Sequence, residues 1–195
     1  MTSTKFFSNP FIGLFAISWV ICICSWFYGI YEMIATLRLK ESSYGLGRKV
    51  VAFTEPLRCR NAAIKLNEVV NTENGKYKFI ESNRCIFRER WTPKHLLRLH
   101  TPFRLKGKLD LGQGTVIIEG RLPLGTTMFT LAWLAGWLSG GLMFGLQDGQ
   151  IGNAILFTLP GVGVALITYF ILIPMEKERF LRVYAELKQT ISQET

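Results

Sequence analysis

The sequence predicts a membrane protein of the α+β class: three transmembrane helices, with a small β-hairpin-rich α+β cytoplasmic domain inserted between helices 1 and 2. Three observations carry this. Three apolar runs, Phe11 to Leu37, Leu124 to Leu146 and Ile151 to Ile173, each reach the length of about 20 residues that crosses about 30 Å of hydrocarbon. The stretch between the first two is strongly basic. Within that stretch, apolar and polar residues alternate with the period of two that marks a half-buried strand.

The hydrophobic content of 49%, with positive mean hydropathy, argues against an ordinary soluble domain. The expected organisation is an N-terminal anchor over residues 1–40, a cytoplasmic domain over 41–122, a transmembrane hairpin over 123–175 and an amphipathic tail helix over 176–195. The first run is too long for the apolar core of a signal peptide and no small-x-small site closes it, so it reads as a retained anchor. Its far end, with Tyr28, Tyr31 and Glu32, is expected among the headgroups; an intramembrane functional carboxylate at Glu32 is the alternative. Between Leu122 and Met175 the only formal charge is Asp148, which makes a tight hairpin of the second and third runs.

From Arg38 to Arg121 there are 18 Lys and Arg against 8 Asp and Glu, a surplus of ten. The N-terminal segment has only Lys5, and the hairpin tip has no basic residue. Positive residues flanking membrane helices favour the cytoplasmic side. The expected localisation is therefore the cytoplasmic membrane, multi-pass, with the N-terminus outside and the main domain and C-terminus inside. In reducing cytoplasm Cys59 and Cys85 read as thiols, and Cys22 and Cys24 as small apolar residues of the first helix; none has zinc-site spacing.

Within the domain, "KVVAF" reads as a strand, and "LRCRNAAIKLNEVVN", with Leu57, Ala63, Ile64, Leu66 and Val70, reads closer to a helix. "TENGKYKF" supplies a turn. A hairpin about Ser82 to Arg84 would bring the Tyr77/Phe79 face against the Cys85/Phe87 face. In "PFRLKGKLDLGQGTVIIEGRL" a second hairpin is predicted, with Gly112-Gln113 as a two-residue turn. Leu109 would then face Val116, Gly107 Ile118, Phe103 Leu122 and Lys106 Glu119. A phosphate loop is excluded there: the lysine it requires is Gln113, and a strand follows instead of a helix. Pro123 ends the second strand.

The candidate functional residues are surface and packing features. Arg104, Lys106, Lys108 and Arg121 form a polar face suited to lipid headgroups or a partner, joined by Arg38, Lys40, Arg48 and Lys49 at the other membrane entry. Ala132, Gly136, Gly140, Gly141 and Gly145 are spaced for close helix packing, against the chain's own third helix or a partner. Phe180, Tyr184, Leu187 and Ile191 form one face of the tail helix, facing the chain's own domain or a partner helix. Pro160 predicts a kink. His95 and His100 enter no metal or nucleophile pattern, and no GxSxG, HExxH or paired-carboxylate motif occurs. No catalytic residue, cofactor or metal is expected, and no small-molecule substrate is evident. Charge alone would allow nucleic acid, but interleaved stacking aromatics are missing.

The run "YKFIESNRCIFRERW…FRLKGKLDLGQGTVIIEGRL", followed at once by "FTLAWLAGW", resembles small uncharacterised bacterial membrane proteins in which a β-rich cytoplasmic domain precedes a transmembrane hairpin. The resemblance covers residues 49 to 138. It implies the architecture above and no catalytic residue, since that family has no assigned activity. The expected function is a non-catalytic integral membrane accessory or scaffold subunit that meets another membrane protein or a second copy of itself. The alternative is an anionic-lipid surface binding or sensing module.

Overall fold

A computed structural model describes residues 10–56, 66–90, 104–112, 114–148 and 151–193. Three helices in it are long and apolar enough to cross a membrane, Pro10–Leu37, Leu124–Gly145 and Ile151–Ser192, and a six-stranded antiparallel sheet is inserted between the first and second. In chain order the elements are α1 (Pro10–Leu37), the single turn α2 (Glu41–Tyr44), β1 (Arg48–Pro56), β2 (Val69–Asn71), β3 (Gly75–Glu81), β4 (Arg84–Glu89), β5 (Lys106–Leu111), β6 (Thr115–Leu122), α3 (Leu124–Asp148), α4 (Ile151–Ile167) and α5 (Ile173–Gln193). A π-helical turn, Thr168–Leu172, joins α4 to α5, so the third apolar run and the tail form one continuous helical stretch. Pro160 lies within α4. The chain divides into two compact units: residues 1–30 with 125–171, and residues 31–124 with 172–195.

In the sheet unit the strand order is β1-β6-β5-β4-β3-β2. β2 to β6 form a meander, and β1 adds to β6 across the full length of that strand. The β3–β4 hairpin is as expected: Tyr77 lies opposite Phe87, and Phe79 opposite Cys85. Two expectations need correction. Val69–Asn71 is a strand paired with β3, not the end of a helix, and Leu66 sits in a turn; Leu57, Ala63 and Ile64 lie outside the described residues. In the β5–β6 hairpin Leu111 faces Val116, Leu109 faces Ile118, Gly107 faces Gly120 and Lys108 faces Glu119. The register is two residues from the expected one. A shift of two keeps every side chain on its face, so alternation could not distinguish the two registers. The extra residues extend the turn, closed by the Gly112 amide donating to the Thr115 carbonyl at 2.7 Å. Phe103 is outside the described residues.

One sheet face packs against α5. Cys85, Phe87, Leu109, Val116 and Ile118 are fully buried beneath Phe180, Val183, Tyr184, Leu187 and Ile191. The helix stripe anticipated from its four-three-four spacing thus covers the chain's own sheet. The opposed glycines Gly107 and Gly120 make the room: a methyl at Gly107 would enter the Phe87 ring, and one at Gly120 would press on Phe180 at 3.0 Å. The two rings lie 5.0 Å apart, centre to centre. Asn74 and Glu186, and Glu55 with Tyr184 and Lys188 (3.2 and 2.5 Å), fasten the helix at its margins.

In the bundle unit the small-residue stripe does what such stripes do in lipid, letting backbones approach. Gly136 lies against Ser18 and Trp19 of α1, Gly140 against Phe157 and Phe15, and Gly141 against Thr158. Gly145 lies against Ala154, and Ala132 is buried. Trp19, Trp133 and Trp137 stack edge to face or tilted along this seam, with centroids 5.6 and 5.5 Å apart.

Candidate functional site

The second sheet face carries the unusual chemistry. Register places Lys76 opposite Arg88, Arg88 opposite Lys106, Lys106 opposite Arg121, and Arg121 opposite Lys49. Cross-strand partners point to the same side, so five cations form one transverse row over β3, β4, β5, β6 and β1. Side by side in water, such neighbours repel. Here Arg88 and Lys106 at the centre of the row are covered and compensated, while Lys76, Arg121 and Lys49 reach solvent.

The compensation comes from the end of α1. Lys106, expected on the exposed polar face, is instead buried at 1% exposure. Its ammonium donates to the Glu32 carboxylate and to the Ser43 carbonyl, and the same Glu32 oxygen accepts the Leu124 amide at 3.0 Å. Glu32 is itself 2% exposed, so it neither emerges among headgroups nor faces lipid. One carboxylate therefore neutralises a strand lysine and caps the first amide of α3, one of the four that a helix leaves unpaired. Burial pushes the Lys106 ammonium below its ordinary range, and Arg121 adds to this; the Glu32 carboxylate opposes it.

Arg88, the next cation, is 7% exposed and donates to the Leu37 carbonyl at 2.9 Å, at the negative end of α1. Burial holds its guanidinium below the usual range. That helix end closes by a Schellman pair: the Lys40 amide donates to the Ala35 carbonyl (3.0 Å) and the Leu39 amide to the Thr36 carbonyl (3.1 Å). Glycine ordinarily occupies the left-handed position. Here Leu39 does, at φ +50°, a strain of about 1–2 kcal/mol offset by burying its side chain with Tyr44 and Ile86. Tyr44 donates to the Thr36 carbonyl at 3.3 Å, and burial raises its phenol far above the usual range.

The other predicted residues are distributed around this centre. Arg121 is half-buried, sharing Glu119 with Lys49 and donating to the Gly45 carbonyl at 2.8 Å. Burial raises the Glu119 carboxyl, but the hydrogen bonds from Lys49 and Arg121 outweigh it and leave it below the carboxylate range. Lys108 pairs with Asp110 at 2.7 Å, and Arg104 is half-buried. Sequence reasoning missed the Glu32–Lys106 pair. Its one signal was a carboxylate in an apolar run, which requires a cation or backbone partner. Choosing Lys106 over its neighbours needs the tertiary fold.

No three His, Cys, Asp or Glu side chains are grouped to hold a metal among the described residues; His95, His100 and Cys59 lie outside them. Cys85 is a buried thiol, raised by burial above its ordinary range. Comparison of the chain with protein-family models, curated proteins and solved structures gave no match.

Proposed function

We infer that the protein is a non-catalytic accessory or scaffold subunit of a membrane assembly, whose basic sheet unit takes in the last turns of the first apolar helix. The observation that supports this best is the clasp of Glu32, Lys106, Ser43 and Leu124, reinforced by Arg88 on Leu37. Here the last turns of α1 and the first residue of α3 are fixed to strand β5 by buried charge, and the segment between α1 and β1 is itself structured by α2 and the Schellman closure. A built, internally fastened surface is what a docking subunit requires.

In this reading the N-terminus is outside, the sheet and α5 are in the cytoplasm, and the membrane is the cytoplasmic one, as the basic surplus between the first two spans argues. The partner is another membrane protein or a second copy of the chain. Purification from native membranes in mild detergent tests it: a stoichiometric companion or a homo-oligomer is expected, and a monodisperse lone protomer contradicts it. The second reading, an anionic-lipid module, is favoured by the exposed Arg38, Lys40 and Arg48 near the end of α1. Charge reversal at Lys106 does not test that reading, because the residue is interior.

A further inference from the structure

We propose that Leu46 is a membrane-surface anchor: it enters the acyl boundary of the leaflet where α1 ends and α3 begins, with Arg38, Lys40 and Arg48 contacting anionic lipid phosphates. The inference deepens the lipid reading above and rests on α1 and α3 spanning a bilayer.

A single exposed leucine needs no explanation. Leu46 differs because the loop that displays it is built. It is 46% exposed between Gly45 and Gly47, directly after the buried Ser43 and Tyr44. Gly47 has φ +106°, and a methyl there would run into the Leu122 carbonyl and approach the Leu124 amide at 3.3 Å. The Gly45 carbonyl is held by Arg121 at 2.8 Å. Backbone and guanidinium thus fix the loop against the β6–α3 junction, and its one apolar side chain is left exposed.

The place and the charge agree. Leu124 begins α3, and Lys40 follows the end of α1 at Leu37 by three residues, so the loop lies beside both helix ends. Arg38, Lys40 and Arg48 are exposed, whereas Lys49 pairs with Glu119 and the acid of this segment, Glu41, faces Arg84 at 3.5 Å. An exposed apolar tip with exposed cations on either side of it in the chain, held at the β6–α3 junction, has the chemistry of an interfacial anchor: hydrocarbon for the leucine, phosphate for the cations. Anionic lipid is the occupant that charge complementarity selects.

The test uses the full-length protein in nanodiscs of phosphatidylcholine, with or without phosphatidylglycerol. An environment-sensitive fluorescent amino acid replaces Leu46, Leu131 in α3, or Val69 on the edge strand β2. At position 46 the emission should shift to the blue and be quenched by lipids brominated near the headgroup end of the chain. At 131 it should be quenched by deep bromines, and at 69 it should stay aqueous. An aqueous signal at 46 with a lipid signal at 131 overturns the anchor and leaves the spanning helices intact; aqueous signals at both remove both. Protection at 46 in native membranes but not in nanodiscs assigns the loop to a protein partner and also overturns the proposal. Replacing Arg38, Lys40 and Arg48 by Gln should lower the preference for phosphatidylglycerol in the bound lipid shell by about fivefold per cation. An unchanged preference overturns the role given to these cations.

Discussion

The two compact units are stabilised by different physics. In the bundle unit, α3 and its neighbours approach through Gly136, Gly140, Gly141 and Gly145, with tryptophans filling the seam; contact is made by shape. In the sheet unit a hydrophobic layer lies beneath α5, and the opposite face buries two cations, Arg88 and Lys106, against a carboxylate and a helix end. Lipid supplies no hydrophobic drive between helices, so the first unit depends on close fit. Water supplies that drive to the second, which can accommodate costly charges where they fix an arrangement.

If this contrast is right, the largest effect comes from leaving one buried charge alone. Lys106→Met should destabilise the sheet unit by about 3–5 kcal/mol, since Glu32 stays behind unpaired. Adding Glu32→Gln should recover part of that loss, because the amide oxygen can still cap Leu124 without a buried charge. Thermal unfolding in detergent, followed by circular dichroism, reads both. Equal losses in the single and double variants would mean the pair is not coupled.

The bundle should instead be sensitive to a single methyl, and asymmetrically so. A methyl on Gly125 would lie 2.6 Å from the backbone of Gly29, while a methyl on Gly29 would meet Gly125 at an ordinary 3.9 Å. Gly125→Ala should cost about 1–3 kcal/mol and Gly29→Ala much less, measured by the same melts. Equal tolerance would show the seam is looser than described.

Acid should loosen α5 from the sheet before the rest unfolds. The hydrogen bond from Lys188, helped by Tyr184, holds the Glu55 carboxyl below its ordinary 4.5. Burial raises that of Glu186, but the hydrogen bonds from Asn74 outweigh it and leave it lowered too. A depressed carboxylate stabilises the fold above its unfolded value and loses that contribution as pH falls through the folded one. Helix detachment, read by hydrogen exchange in α5, should therefore grow below about pH 4.5 and be unchanged from 5 to 8. The smallest effect is at the surface. Lys49→Gln breaks a half-exposed pair with Glu119 and should change stability by at most about 1 kcal/mol.

The same contrast explains what was legible in the sequence. Length and apolarity marked the three helices, β character marked β1, and alternation placed β3, β4, β5 and β6 and the faces of Tyr77, Phe79, Cys85 and Phe87. The α5 stripe was visible in its spacing. Alternation has period two, however, so it could not choose between β5–β6 registers two residues apart, and with the register went the row that sets Lys106 beside Arg88 and Arg121. The cap on α1 was hidden because Leu39, not glycine, takes the left-handed position. Glu32 was visible as an anomaly, but its partner lies 74 residues away, and only the assembled sheet joins them.

The central claim, three spans in the membrane with the sheet on its cytoplasmic side, is tested most directly at the exposed β2–β3 turn. Glu73→Cys in intact cells should resist a membrane-impermeant maleimide and react fully, beyond the parent chain's background, once the cells are opened. Reaction in intact cells would contradict the account.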